Sequence, residues 1–309
     1  MAETEESGSE PENVEQDDVV ESESYDQKAN DPWVQVLFPG SSFITTVLNA
    51  LRAKEGMSSM MTHVYLLRAG MAGFFVSLFF TTYFAVSAAF SATGDAGAVV
   101  GRLLAPLAFG WALVFIYYTN SELLTANMMV VAVGIFNRHT NSDFKMGRLL
   151  RLMGYCLLGN LVGALVFAIL MRVSTVLDPG ILAQMGAAVT RKVGYVSSLT
   201  GTVDLFVRAI LCNFCINIAM VLVFNNKLKN DFSKCVILVV AVFVFAFLGF
   251  EHSIANSALF LIMGLRGAVD PLPAILSVIV TILGNLVGGG LLVGFNFALM
   301  NRNYCRVRY

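Results

Sequence analysis

Glu251, His252 and Ser253 are adjacent and carry the three groups of a nucleophilic hydrolase, but their spacing argues against that use. Neighbouring residues on a helix point about 100° apart, so a contiguous Glu-His-Ser string cannot close a relay by itself. The other histidines, His63 and His139, fall near the ends of apolar stretches, where solvated side chains are expected. The surroundings of the string point elsewhere, because it interrupts an apolar run from Cys235 to Met263. An ionisable side chain at bilayer depth costs about 2.5–3.5 kcal/mol on insertion scales, so it faces a cavity or a protein partner. The stretch Phe247-Leu248-Gly249-Phe250-Glu251-His252-Ser253-Ile254-Ala255-Asn256 therefore reads as the gap of a broken membrane helix, with backbone and an imidazole turned to a passage. Cys212-Asn213-Phe214-Cys215 fits a C-x-x-C spacing but lies inside an apolar helix, where it reads as small-residue packing. No Walker, zinc or dinucleotide motif occurs, so no metal, cofactor, nucleic-acid partner or enzymatic activity is expected.

The elements that must position these groups belong in a membrane. The chain has 309 residues, 57% hydrophobic and 13% charged, with a mean hydropathy of +0.72; a soluble core cannot absorb so much apolar sequence. Charge is unevenly spread: residues 1–30 hold 11 of the 21 acidic residues and one base, Lys28, leaving 19 basic and 10 acidic residues in the remainder. Residues 1–32 are expected to form a disordered acidic tail, with no cleavable signal peptide. Residues 33–59 form an amphipathic segment in which Phe43, Val47, Leu48 and Leu51 share a face, as in a helix lying at the membrane interface. A transmembrane domain over 60–300 and a short basic C-terminus over 301–309 complete the chain. The five cysteines imply no disulfide framework.

Six stretches are long enough to cross a hydrocarbon core of about 30 Å: Val64 to Phe90, Leu103 to Phe136, Leu149 to Met171, Leu205 to Phe224, Cys235 to Met263 and Leu272 to Leu299. The second and fifth are too long for one straight crossing and contain Thr119-Asn120-Ser121-Glu122 and Glu251-His252-Ser253, so both read as broken. Basic residues put both termini in the cytoplasm, with Arg52, Lys54, Arg138, Lys145, Arg148, Lys227, Lys229, Lys234, Arg302, Arg306 and Arg308 on one side. Arg102, Arg266 and a long loop with Arg172, Arg191 and Lys192 lie on the other. The two breaks share Glu-x-x-x-Ala-Asn at an offset of 129, and Leu158-Gly159-Asn160-Leu161-Val162-Gly163 recurs as Leu283-Gly284-Asn285-Leu286-Val287-Gly288 at an offset of 125. Each half is thus a three-helix unit, and an odd number of crossings inverts the second. Both half-helices that follow the breaks then point their N-terminal ends at the centre, where free N–H groups favour an anion. The glycines of the repeated strings read as close-packing positions.

At these residues the chain resembles the formate/nitrite transporter family of pentameric, aquaporin-like anion channels, over about residues 35–300. Gly249-Phe250-Glu251-His252-Ser253-Ile254-Ala255-Asn256 is similar to the signature on that family's broken fifth helix. Gly159-Asn160-Leu161-Val162-Gly163-Ala164 and Gly288-Gly289-Gly290-Leu291-Leu292-Val293-Gly294 resemble its formate-channel branch. The resemblance implies an all-α membrane fold of two inverted three-helix repeats and a homopentamer in the cell membrane. It makes His252 the central histidine, Thr125 the threonine of the first break, Glu122 the acidic residue before it, and Asn213 and Asp204 the pore asparagine and acidic residue of the fourth span. Phe109, Leu113 and Phe245 would form apolar constrictions, with Leu124 where formate channels often have phenylalanine. Lys192 is the best match to a mouth lysine, with Arg191 and Arg208 as alternatives. Glu251, Asn127 and Asn256 complete the set. The function implied is passage of a small weak-acid anion, formate first, crossing as the neutral acid with protons as partners beside an imidazole that titrates near neutral pH. Nitrite, hydrosulfide, lactate or acetate are the alternatives, as is an aquaporin-like pore for neutral solutes, against which the lack of any Asn-Pro-Ala counts.

Overall fold

The computed structural model describes residues 41–137, 145–225 and 227–301, and these residues are helical with no strand among them. The expectations for the acidic tail, for residues 33–40 of the amphipathic segment, for His139 and Arg138, and for Arg302, Arg306 and Arg308 fall outside the described residues. The helices are α1 (Ser41–Met60), α2 (Thr62–Ser91), α3 (Asp95–Tyr118), α4 (Leu124–Phe136), α5 (Met146–Val173), α6 (Pro179–Gly194), α7 (Leu199–Phe224), α8 (Asp231–Phe247), α9 (Ser253–Gly264) and α10 (Pro271–Asn285). A π-helical segment (Leu286–Phe295) and α11 (Asn296–Met300) continue α10. Five of these helices, the last counted through Met300, are long and apolar enough to cross a membrane, and α4 and α9 are shorter apolar helices. Leu67, Val173, Leu199 and Leu272 lie on outer surfaces and are largely exposed in the single chain, as residues bathed in lipid or covered by further copies would be.

Both expected breaks are present and close in the same way. After α3, Asn120 adopts a left-handed φ of 51° and Ser121 N–H donates back to Ile116 O at 3.0 Å. After α8, Gly249 takes φ 71° and Phe250 N–H donates to Phe245 O at 2.9 Å. This is the six-to-one closure of a Schellman turn, and glycine and asparagine are the residues that tolerate it. The repeated glycines bring the helices of each unit into backbone contact. A Cβ on Gly163 would stand 1.8 Å from Gly70 O, and one on Gly288 would stand 2.1 Å from Ile210 O.

Three elements differ from expectation. Helix α1 forms where an amphipathic segment was read, but its apolar face is covered by protein rather than lipid: Phe43, Ile44, Val47 and Leu51 are fully buried. Phe43 meets Phe297 edge-on at 5.3 Å, and Leu51 occupies the space a side chain at Gly134 would need. An apolar stripe of this spacing serves either surface equally, and the pattern alone does not choose. The long loop before the fourth span holds α6, capped by Asp178, whose Oδ1 accepts from Ile181 N–H at 2.8 Å, with Pro179 in its first turn. Ile181, Met185, Ala188, Val189 and Lys192 form its buried face; with 16 residues it is too short to be a span. Finally, the sixth span is not one α-helix. Its Gly288-Gly289-Gly290 string winds as a π-helix, and a Cβ on Gly289 would lie 2.4 Å from the amides of both Asn213 and Asn217.

Candidate functional site

The polar groups of the two breaks are arranged as near copies. Glu122 is buried and ion-paired with Lys54, and its Oε2 also accepts from Asn127 Nδ2 at 3.0 Å. Glu251 is buried and ion-paired with Lys192, and its Oε2 accepts from Asn256 Nδ2 at 2.8 Å. Two charges removed from water are tolerated only when paired and further hydrogen-bonded, and each of these carboxylates is both. Behind them, Asn160 Nδ2 donates to Glu122 O and to Ala69 O, each at 2.8 Å, while its Oδ1 accepts from Leu124 N–H at 3.0 Å. Asn285 repeats this with Glu251 O at 3.0 Å, Ala209 O at 2.8 Å and Ser253 N–H at 2.9 Å. The arginines correspond too: Arg68 donates to Asn120 O at 2.6 Å and Arg208 to Gly249 O at 3.0 Å, each at the C-terminal end of the first half-helix, where a cation is favoured.

The N-terminal ends of α4 and α9 meet through Thr125 and His252. His252 is the N-cap of α9, its Nδ1 accepting from Ala255 N–H at 3.1 Å. That contact places the ring proton on Nε2, so Nε2–H donates to Thr125 Oγ1 at 3.0 Å. The Thr125 carbonyl is held by two amides, Asn213 Nδ2 at 3.1 Å and Asn217 Nδ2 at 3.2 Å. Asn213 also donates to Asn285 O at 2.7 Å. The residue expected to line the passage thus has its amide hydrogens occupied in bracing the first break against the sixth span.

Two cavities lie on either side of this layer. The one on the α1 side, here the near side, has a volume of about 280 Å³ and is walled by Lys54, Arg68, Leu113, Glu122, Val130 and Met220 among others. The far-side cavity, about 220 Å³, is walled by Tyr83, Phe109, Lys192, Phe245, Glu251 and His252 among others. Phe109 and Phe245 meet edge-on at 5.9 Å, and the Phe245 ring lies nearly parallel to the imidazole at 6.1 Å. Leu113 and Leu124 are buried. Leu113 faces the near cavity and the two phenylalanines face the far one. Asp204 stands apart from both, on α7, partly exposed and paired with Arg208 at 2.9 Å. Of the three candidates for the mouth cation, Lys192 holds the buried carboxylate, while Arg191 and Arg208 also border the far cavity.

Sequence reasoning missed Lys54, Asn160, Asn285, Arg68 and Asn217 as members of the site. The signal for two of them was present in the repeat. Asn160 and Asn285 sit inside the duplicated strings, whereas Arg68 and Arg208, 140 apart, and Lys54 and Lys192, 138 apart, lie off that offset and correspond only in the fold.

The family model described as formate/nitrite transporter matches residues 43–299. The chain is 28% identical over 245 residues to the uncharacterized transporter YwcJ of Bacillus subtilis (strain 168), covering 77% of this chain and 89% of that protein. It is 28% identical over 257 residues to the formate channel FocA of Escherichia coli (strain K12), covering 73% of this chain and 82% of that one. Among solved structures, an FNT family ion channel superposes with a TM-score of 0.71 at 21% identity, covering 82% of this chain and 96% of that one. A pentameric formate channel with formate bound gives 0.61 at 21% identity, covering 78% and 97%.

Proposed function

Because the chain belongs to the formate/nitrite transporter family, whose relatives above are transporters and channels, we propose that it conducts small monovalent weak-acid anions, formate foremost. The observation that carries this reading is the Thr125–His252 contact, at 3.0 Å, lying between two cavities whose walls each hold a buried glutamate paired with a lysine. An anion entering the far cavity meets Lys192 and the N-terminal end of α9, both of which favour negative charge. Beyond it the way is closed by Phe109, Phe245 and Leu113, and stripping water from a carboxylate there costs several kcal/mol. A neutral acid avoids most of that penalty, so the anion takes up a proton before the apolar layer and releases it in the opposite cavity. His252 offers Nε2–H to the traversing oxygen in place of Thr125. The proton comes from bulk water rather than from Nδ1, which accepts from Ala255 N–H.

The wider reading goes with this: a homopentamer in the cell membrane, both termini cytoplasmic, the two three-helix units inverted and α1 at the cytoplasmic mouth. The test is flux of formate, nitrite, lactate and hydrosulfide into proteoliposomes holding the purified protein, each at two pH values. Formate is expected to pass fastest and to accelerate as the outside is acidified. His252→Phe, which removes the donor, is expected to lower formate flux at both pH values. Liposome swelling in glycerol without formate flux would replace this reading with a neutral-solute pore, and unaltered formate flux in His252→Phe would remove the imidazole from the mechanism.

A further inference from the structure

A third cavity, about 410 Å³ and more polar than the other two, opens on the far side outside the His252 layer. Three guanidinium groups from three helices border it: Arg102 of α3, Arg191 of α6 and Arg208 of α7. Ser87, Ser91 and Gln184 add hydroxyl and amide groups to the same wall. Arg208 is committed, donating to Asp204 at 2.9 Å and to Gly249 O at 3.0 Å. Arg102 lies 5.9 Å over the Phe247 ring, a cation–π contact that does not consume its N–H donors. Among the described residues no carboxylate pairs with Arg102 or Arg191. The acidic groups of the surrounding elements are Asp204, held by Arg208, and Glu251, held by Lys192, with Asp95 in the first turn of α3, Arg102 lying on that helix's second turn, Asp178 capping α6 and Asp231, paired with Lys234, at the opposite end of α8. The cavity therefore has a surplus of positive charge in the form of two uncommitted planar forks on different helices.

We propose that this cavity is an anion-binding antechamber whose two free arginines take one carboxylate each, so that small dicarboxylates dock in it. Each guanidinium matches a carboxylate with two parallel N–H···O bonds, and a monocarboxylate engages only one fork at a time. A dicarboxylate satisfies both, and carrying two charges it is the species least able to cross the apolar layer behind. It therefore sits in the mouth and blocks. The blocking rests on the passage proposed above; the binding does not.

Malonate is the probe. Calorimetry on the purified full-length protein should show saturable binding, weakened about a hundredfold in R102Q/R191Q, since each of the two lost charge-assisted contacts is worth about a tenfold change. The single substitutions Arg102→Gln and Arg191→Gln should each account for part of that loss, which guards against a folding defect peculiar to the double variant. In proteoliposomes, malonate on the far face should raise the half-saturating formate concentration; on the near face it should not. Inhibition is scored against each variant's own uninhibited rate and against chloride at matched ionic strength. Malonate binding that is equal in R102Q/R191Q, or no stronger than chloride, overturns the proposal. Arginine-dependent malonate binding in a protein that does not pass formate leaves the antechamber standing and removes the transport reading instead.

Discussion

Replacing Asn285 by leucine, a side chain of similar size, tests whether the asparagine clamps hold the breaks open. The substitution removes three hydrogen bonds, from Nδ2 to Glu251 O and Ala209 O and from Ser253 N–H to Oδ1. Asn285 is fully buried, so Glu251 O and Ser253 N–H, left behind outside any helix ladder, find no water, whereas Ala209 O keeps its place in the ladder of α7. An unmet buried group costs about 1–3 kcal/mol, which totals about 2–6 kcal/mol for the two. Against a typical domain stability of about 5–15 kcal/mol this is a large fraction. The assay is thermal unfolding of the detergent-purified protein, where a domain of this size loses about 2–4 °C per kcal/mol, so the melting temperature should fall by at least about 4 °C. Asn160→Leu removes the equivalent three bonds at the first break and should give a similar fall. Asn285→Asp keeps the acceptor for Ser253 N–H but sets an oxygen against two carbonyls, and should be no milder. A melting temperature within about 2 °C of the parent in Asn285→Leu, with formate flux intact, would refute the claim that these amides maintain the gap.

Other outcomes follow from the same geometry. Lys192→Met leaves Glu251 buried and unpaired, an effect of about 3–5 kcal/mol; adding Glu251→Gln should restore much of the lost thermal stability, and no recovery would mean the pair is not what the lysine serves. Gly163→Ala drives a methyl group into Gly70 O and should leave no assembled protein on size-exclusion chromatography, whereas Gly154→Ala, which meets open space, should stay within about 1 kcal/mol of the parent. Phe109→Ala removes half of the edge-on pair with Phe245 and should raise lactate flux relative to formate in the liposome assay; an unchanged ratio would take Phe109 out of the constriction.

Much of this architecture was legible in the sequence because the membrane is a strict solvent. Six apolar stretches, two of them overlong and interrupted by Glu, His and Asn, leave few ways to satisfy a backbone in lipid, and the duplicated strings related the halves. The limits were also physical. A helix of 16 residues at the far mouth, α6, carries too few apolar residues to register as a span, although Asp178-Pro179 was a readable start signal. The apolar face of α1 does not reveal whether lipid or protein covers it. Asn213 has the residue type of a pore donor, and only coordinates reveal that its hydrogens point at Thr125 O and Asn285 O. Nor does a string of three glycines announce a π-helix, and the Asn213 and Asn217 amides that leave no room for a side chain at Gly289 belong to a distant stretch of the chain.

The matched clamps around Asn160 and Asn285 have a consequence for vectorial transport. In a passive channel the gradient sets the direction of net flow, so asymmetry can only favour the rate from one face over the other, and it must originate in the parts without a twin. His252, which caps α9 where Leu123 caps α4, the π-wound sixth span against a continuous α5, and the Arg102–Arg191 basin are such parts; altering them should change the ratio of the rates measured under equal and opposite gradients.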